Sequence, residues 1–157
     1  MGQEEVCYTK EAALTRAIEM EQQSFSTYLR IYKISHDRSA RQLIRELALE
    51  ELEHKYLLEK AFFEVTVALH EPGQDNKPVM KLSLFLKDKP LHETSTPQDV
   101  LIHAIHEEKR SVEFYEMMAN QCEGAPMAPM FKRLHKDESG HLARLEDLYE
   151  KMYMAEM

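Results

Sequence analysis

Apolar residues recur along this chain in alternating steps of three and four, the spacing that turns one stripe of an α-helix toward a core. Four stretches follow this pattern, and they predict helices over roughly residues 10–35, 39–68, 96–124 and 126–154. The segment HEPGQDNKP at 70–78 interrupts the pattern with Pro, Gly and Asn. We therefore predict an all-α four-helix bundle, in which a long crossover at about 69–95 joins hairpins at about 10–68 and 96–154. We expect residues 1–157 to form one such domain.

Two predicted helix starts carry capping signals. Thr9 precedes the first helix, and Thr96 precedes the third, where it is followed by Pro97 and Asp99. A threonine side chain can accept a hydrogen bond from the free N–H groups of the first turn, and proline suits the first helical position. The role of the crossover between the two hairpins stays open at this point, either as an interface or as a lid.

The apolar stripe of each predicted helix, here called its seam, is interrupted near its middle by a residue that can carry charge. All four seams place a glutamate there, and two of them place a histidine three residues later. Glutamate at i and histidine at i+3 lie on the same face of a helix. The set is Glu21, Glu51, His54, Glu108, Glu138 and His141.

The chain also repeats itself with an offset of 87 residues. That offset relates Glu21 to Glu108, Glu51 to Glu138 and His54 to His141. It also relates Tyr28 to Tyr115. An internal duplication of one helical hairpin explains these matches. Two such hairpins packed about a pseudo-twofold axis would bring the four glutamates and two histidines to one level.

Four carboxylates that face one core repel one another, and burial makes each of them costly unless it is paired or binds a cation. The seams offer no Lys or Arg to neutralise them. Two divalent metals would balance the charge, each held by one Glu–His pair, while the remaining two glutamates bridge or cap the metals. Mixed oxygen and imidazole ligands suit iron or manganese, including a mixed Mn/Fe pair, and the lack of thiolates argues against an iron–sulfur cluster.

The alternative is a metal-free bundle with a buried polar layer, since a single ExxH pattern arises often by chance. The duplicated set on four seams favours the metal site.

Tyr28 and Tyr115 lie two turns beyond a ligand glutamate, and we expect each to donate to a ligand carboxylate on a neighbouring helix. An ordinary core tyrosine bonded to water or backbone is the alternative. The flanking acids are interpreted as a solvated face, as are the other histidines; the acids are Glu19, Glu50, Glu53, Glu107 and Asp137.

The formal net charge is −8 and no basic stripe occurs, which argues against a nucleic-acid partner. No apolar run approaches the length of a membrane span, and the acidic N-terminus does not resemble a signal peptide. We therefore expect a cytoplasmic protein without a membrane partner. Cys7 and Cys122 have no CxxC or zinc spacing, and we expect reduced bystanders; a redox pair is the alternative.

These motifs resemble the rubrerythrin-like branch of the ferritin-like di-iron carboxylate superfamily. The resemblance is carried by AIEMEQQSFSTY at 17–28, ELEH at 51–54, AIHEEKRSVEFY at 104–115 and ESGH at 138–141. It implies two bound iron ions, reaction with peroxide (H2O2) or oxygen (O2), and a homodimer or a larger homo-oligomer. It also implies alternatives, in which the same site is a ferroxidase centre or an iron buffer.

Two features depart from the rubrerythrin pattern. Rubrerythrins proper carry a rubredoxin domain with paired CxxC iron ligands, which this sequence lacks, so we expect any electron donor to be a separate protein. They also resemble one another in an extra third-helix glutamate, where this chain has Ser111, and His141 stands where their fourth helix offers a further carboxylate. The resulting symmetric ligand set is similar to that of bacterioferritins, which leaves peroxidase and ferroxidase chemistry both open.

Overall fold

The computed structural model describes residues 10–64, 79–121 and 127–154, and within these ranges it contains helices and no strand. The helices are α1 (Lys10–Ile34), α2 (Arg38–Lys60), α3 (Pro97–Gln121) and α4 (Ala128–Tyr149). A π-helical turn, Glu150–Met154, continues α4. The predicted all-α four-helix bundle is confirmed. Thr9, Cys7 and Cys122 lie outside the described residues, so the predictions about them stay open.

Side-chain caps mark the starts of α2 and α3. Asp37 accepts a hydrogen bond of 2.8 Å from the N–H of Ala40, which satisfies a free donor in the first turn of α2. At the start of α3 the N–H of Asp99 donates to Thr96 Oγ1 at 3.1 Å, and the N–H of Thr96 donates back to Asp99 Oδ2 at 3.4 Å. The predicted cap at Thr96 is therefore present, in the reciprocal form of a capping box.

The prediction that α2 reaches about residue 68 is wrong, because α2 ends at Lys60. Ala61 belongs to an apolar cluster that also contains Ala13 and Leu14 from the first turns of α1. Phe63, two residues later, is 90% exposed. The apolar spacing continues beyond Lys60, and periodicity alone does not show the residue at which a helix ends.

The bundle is built from two hairpins, α1 with α2 and α3 with α4, and α1 also packs against α3. The buried apolar residues form two separate clusters. The first contains Tyr28, Ile44, Leu47, Ile105 and Leu145 among others. The second contains Leu14, Leu58, Tyr115, Met118, Phe131 and Leu134 among others. The polar middle of the seams therefore lies between two apolar clusters, and water is excluded from both sides.

The described part of the crossover, residues 79–96, is attached to α4 and α3. Glu146 on α4 is completely buried, and its carboxylate accepts from the N–H of Met80 at 2.9 Å and from the N–H of Leu82 at 2.6 Å. Between them Lys81 has a positive φ of 62°, a conformation that costs about 1–2 kcal/mol for a residue other than glycine. The two charge-assisted hydrogen bonds offset that cost and hold the following 3-10 turn, Leu82–Leu84, against the bundle.

Within the described residues, none of the helices combines the length and the apolar character that a bilayer crossing needs.

Candidate metal centre

The six predicted ligands converge in the middle of the bundle, and none is more than 5% exposed. One glutamate comes from each of α1 and α3, and a glutamate with a histidine comes from each of α2 and α4. The periodicity of the seams produces this convergence, because each residue replaces a core-facing apolar side chain at the same level. The set is Glu21, Glu51, His54, Glu108, Glu138 and His141.

The six side chains form two overlapping groups of four potential ligands. In each group the ligand atoms all lie within 4.8 Å of one another, which is close enough for one metal ion. Both groups contain Glu51 and Glu138. Glu21 and His54 complete one group, and Glu108 and His141 complete the other. The sequence predicted the bridging or capping role for the glutamates outside the Glu–His pairs, Glu21 and Glu108. In this geometry the glutamates common to both groups, and so the candidates to bridge, are instead Glu51 and Glu138.

A symmetric set of hydrogen bonds holds one oxygen of each glutamate. Tyr28 donates to Glu108 Oε1 at 2.5 Å, and Tyr115 donates to Glu21 Oε1 at 2.7 Å. These are the contacts expected for the two tyrosines, each to a glutamate on a neighbouring helix. The two shared glutamates are held by imidazoles in the same way. His141 Nδ1 lies 2.7 Å from Glu51 Oε1, and His54 Nδ1 lies 3.0 Å from Glu138 Oε1.

The second oxygen of every one of these glutamates is buried and makes no hydrogen bond. The four atoms are Oε2 of Glu21, Glu51, Glu108 and Glu138. Two of them lie near an imidazole without forming a hydrogen bond, since Glu138 Oε2 is 3.1 Å from His141 Nδ1 and Glu21 Oε2 is 3.5 Å from His54 Nδ1. A buried carboxylate oxygen that makes no hydrogen bond carries a desolvation cost of several kcal/mol in the charged state. Four such atoms in one water-excluded layer, beside two histidine Nδ1 atoms, are the donor set that two divalent cations would satisfy. The residues present therefore fit a pair of metal ions.

The raised pKa values of three of the glutamates also favour a bound cation. Burial, followed by repulsion from Glu138, raises the pKa of Glu21 and raises that of Glu108 well above its usual value. Burial and the neighbouring charge of Glu108 likewise raise the pKa of Glu51 well above the ordinary range. Without a cation these carboxyls bind protons more tightly than usual, so metal would compete with protons there.

At Glu138 and the two histidines, neighbouring groups outweigh the effect of burial on the pKa. Burial pushes the pKa of Glu138 upward, but His141 and the other hydrogen bonds outweigh it and hold that pKa well below the usual value. Burial lowers the pKa of His141, yet Glu138 and Glu50 together raise it to about 9. The pKa of His54 is raised well above its usual value, because Glu21, Asp137 and Glu138 outweigh the effect of burial.

The interpretation of Glu50 and Asp137 as a solvated face is wrong. Asp137 Oδ2 lies 3.1 Å from His54 Nε2, and Glu50 Oε2 forms a short hydrogen bond with His141 Nε2. Each acid thus reaches across to the histidine of the other hairpin. A signal in the sequence could have identified them, because the 87-residue offset that relates the ligands also relates position 50 to position 137.

Glu107 and His103 were also assigned to the surface, and this too is wrong. Glu107 Oε1 accepts from Thr27 Oγ1 at 3.0 Å and lies 2.8 Å from His103 Nε2. His103 Nδ1 in turn lies 3.0 Å from Asp88 Oδ1 in the crossover. The positions related to Glu107 and His103 by the repeat are Met20 and Arg16, which cannot form the same contacts. The internal repeat therefore could not have predicted this series of polar contacts.

A family model described as Rubrerythrin matches residues 12–153, a range that contains all six candidate ligands. Comparison with curated proteins returned no match, and comparison with solved structures returned none either.

Proposed function

Since this chain belongs to the rubrerythrin family, we propose that it binds two iron ions and reduces peroxide or oxygen. One observation carries the proposal. Two groups of four buried ligand atoms share Glu51 and Glu138, and every glutamate in them keeps one oxygen without a hydrogen bond. A polar layer that served only as structure would be expected to satisfy these atoms internally.

Bound iron would supply open coordination positions and a change of oxidation state, which are the two properties that peroxide or oxygen reduction requires. The protein residues provide the setting. The apolar clusters on both sides of the ligand layer exclude bulk water and strengthen every electrostatic interaction within it. Tyr28 and Tyr115 hold Glu108 and Glu21 by one oxygen each, and the other oxygen of each carboxylate, which makes no hydrogen bond, could hold a metal ion.

The same two tyrosines keep their protons while they do so. Burial and the neighbouring glutamates raise the pKa of both phenols well above the usual value, Glu108 acting on Tyr28 and Glu21 on Tyr115. Each phenol is therefore a stable donor that orients a ligand carboxylate at neutral pH. The hydroxyl groups are also the nearest protein O–H donors to the ligand oxygens among the hydrogen bonds of the described residues.

A second candidate function is oxidation of Fe(II), with the iron as substrate. The observation that favours it is the symmetry of the ligand set. Ser111 on α3 is buried, and it stands where rubrerythrins are expected to offer an extra glutamate. A symmetric pair of sites without that extra carboxylate resembles the ligand pattern of bacterioferritins. This candidate predicts repeated turnover with Fe(II) and O2.

The first experiment is elemental analysis of the purified chain, repeated after anaerobic loading with Fe(II). We expect two iron ions per chain after loading. The variant Glu51→Gln keeps the size of a shared ligand but removes its charge, and we expect it to lose stoichiometric binding. Glu53→Gln is the matched control, since Glu53 lies on the exposed side of the same helix turn and should bind two. Persistent absence of metal in the wild-type chain would overturn the proposal.

A second measurement separates the two functions. The loaded protein is mixed with H2O2 or with O2 under single-turnover conditions, and oxidation of the iron is followed by its absorbance. Faster oxidation by H2O2, with no further turnover when Fe(II) is in excess, supports peroxide reduction. Continued consumption of excess Fe(II) with O2 supports the ferroxidase function instead.

A further inference from the structure

The outer edges of the two imidazoles, which face away from the glutamates, have partners of their own. In both histidines Nδ1 faces the ligand carboxylates, and Nε2 contacts an acid that is not among the predicted ligands. Those acids are Asp137, which contacts His54, and Glu50, which contacts His141. Each directly precedes a shared ligand glutamate in the sequence, and each bonds the histidine from the other hairpin.

We infer that Asp137 and Glu50 are positioning residues, which fix the two histidines with Nδ1 presented to the metal ions. A neutral imidazole has one N–H donor and one acceptor nitrogen, and the hydrogen bond at one nitrogen selects the state of the other. An ionised carboxylate can only accept, so it retains the proton on Nε2. A cation would then replace the proton that Nδ1 shares with a ligand glutamate in the metal-free site. The inference rests on the proposed metal site and adds residues outside it.

Each acid is in turn held by an arginine. Arg133 Nε lies 3.0 Å and 3.1 Å from the two oxygens of Asp137, one turn away on α4. Arg144 contacts Glu50 at 3.4–3.5 Å from α4, and it also contacts Glu46 at 3.1 Å. The arginine, the acid and the histidine form a connected series on both sides of the site. Such outer partners set the orientation and basicity of metal-bound imidazoles.

The two series differ in the exposure of the acid and in its distance from the arginine, and this difference predicts which acid matters more for metal binding. The Asp137 side chain is 20% exposed and has the shorter arginine contacts, whereas the Glu50 side chain is 41% exposed and has the longer ones. Water can replace a partner at an exposed position more readily than at a sheltered one. Loss of Asp137 should therefore weaken its metal position more than loss of Glu50 weakens the other.

The test uses the full-length chain and Co(II) alone as the probe. Affinity is measured by competition with a chelator, and the exchangeable imidazole N–H protons are followed as shifted NMR resonances of the Co(II)-loaded protein. We expect Asp137→Ala to weaken one Co(II) position about 10- to 100-fold. We expect Glu50→Ala to weaken the other position less. Each variant should also speed solvent exchange of one imidazole N–H, a different one in each case.

Glu46→Ala is the matched control, because Glu46 contacts Arg144 but neither histidine. Its Co(II) affinity and both N–H exchange rates should equal those of the wild type. Asp137→Asn, which keeps the size of the side chain, replaces Asp137→Ala if the latter does not fold by circular dichroism. Wild-type affinity and unchanged N–H exchange in the Asp137 and Glu50 variants would overturn the inference while the metal site stands. A wild-type chain that binds no Co(II) would overturn the metal site itself, and the inference with it.

Discussion

The two hairpins of this bundle agree in their inner layer and differ in what surrounds it. The 87-residue offset places glutamates, histidines and tyrosines at matching positions, and the structure gives the two sets matching contacts. Ser24 and Ser111, also related by the offset, are both buried. The proposed pair of metal positions, sharing two glutamates, would require equivalent ligands from both hairpins and would leave the inner layer little freedom to diverge.

The outer positions are under no such constraint. Glu59 on α2 is exposed beside Lys55, whereas its counterpart Glu146 on α4 is fully buried and binds two backbone N–H groups of the crossover. Met20 on α1 is a buried apolar residue, whereas its counterpart Glu107 bonds Thr27 and His103. The comparison teaches that, for the described residues 79–96 of the crossover, the second hairpin supplies the buried carboxylate that binds the backbone, while both hairpins supply the candidate site.

The largest effects should come from the inner layer, and they should be equal in the two halves. Glu21→Ala and Glu108→Ala each remove a ligand that belongs to only one of the two groups, so each should lower binding from two metals to one per chain. Saturating metal stabilises a protein by about 4 kcal/mol per site at a thousandfold excess over Kd, so each variant should lose about that much holo stability. Elemental analysis and thermal unfolding with Fe(II) check both.

Loss of both metals in only one of these two variants would break the equivalence of the halves. Glu19→Ala is the control for α1, because Glu19 is exposed and forms a surface ion pair with Arg16 at 3.6 Å.

The next largest effect should separate Glu146 from Glu59. Glu146→Ala leaves two N–H groups of the crossover without an acceptor, one of them buried, and should lower the free energy of unfolding by about 2–3 kcal/mol. Glu59→Ala removes only an exposed ion pair of 3.9 Å and should change it by less than about 0.5 kcal/mol. Urea denaturation of the metal-free protein measures both. Equal losses would show that the crossover is not held through Glu146.

A smaller and symmetric effect is expected at the tyrosines. Tyr28→Phe and Tyr115→Phe each remove one buried hydrogen bond to a glutamate and should destabilise the metal-free protein by about 1–2 kcal/mol. Tyr56→Phe, at an exposed position of α2, is the control and should have no effect. The same urea titrations apply. A difference of more than about 1 kcal/mol between the two variants would show that the halves are not equivalent around their tyrosines.

The smallest effect we expect is a pH dependence of the stability of the crossover, which arises from His103 in the second hairpin and has no equivalent in the first. Hydrogen bonds to Glu107 and Asp88 raise the pKa of His103 above its usual value, so protonated His103 stabilises the folded crossover. A raised folded pKa means that this contribution is complete below about pH 6.5 and is lost as the pH rises through the folded value. Because the group is partly exposed, we expect less than about 1 kcal/mol.

Hydrogen exchange of residues 84–92, corrected for its intrinsic pH dependence, should show the loss of protection as the pH rises. His103→Gln should abolish that pH dependence. The related position in the first hairpin is Arg16, which has no imidazole, and exchange around it serves as the internal reference. A pH dependence that persists in His103→Gln would assign it to another group.

Much of the fold and of the candidate site follows from the sequence for one physical reason. A helix buries one face, so the periodicity of apolar residues shows which side chains of that helix point inward. The four helices, the six inward-facing ligands and the two tyrosines beside them were predicted in this way. The end of α2 was not, because the residues after Lys60 continue the apolar spacing although the helix ends there.

What only the tertiary structure decided is which groups meet between helices. Asp137 and Glu50 lie off the inward face of their own helices, and periodicity alone assigned them to solvent. They instead reach histidines of the opposite hairpin, at distances that depend on how closely α2 and α4 pack. The choice of Glu51 and Glu138 as the shared pair, and the burial of Glu146 under the crossover, likewise depend on that packing. The sequence determines the inner face of each helix, whereas contacts across helices depend on angles and spacings that no single helix encodes.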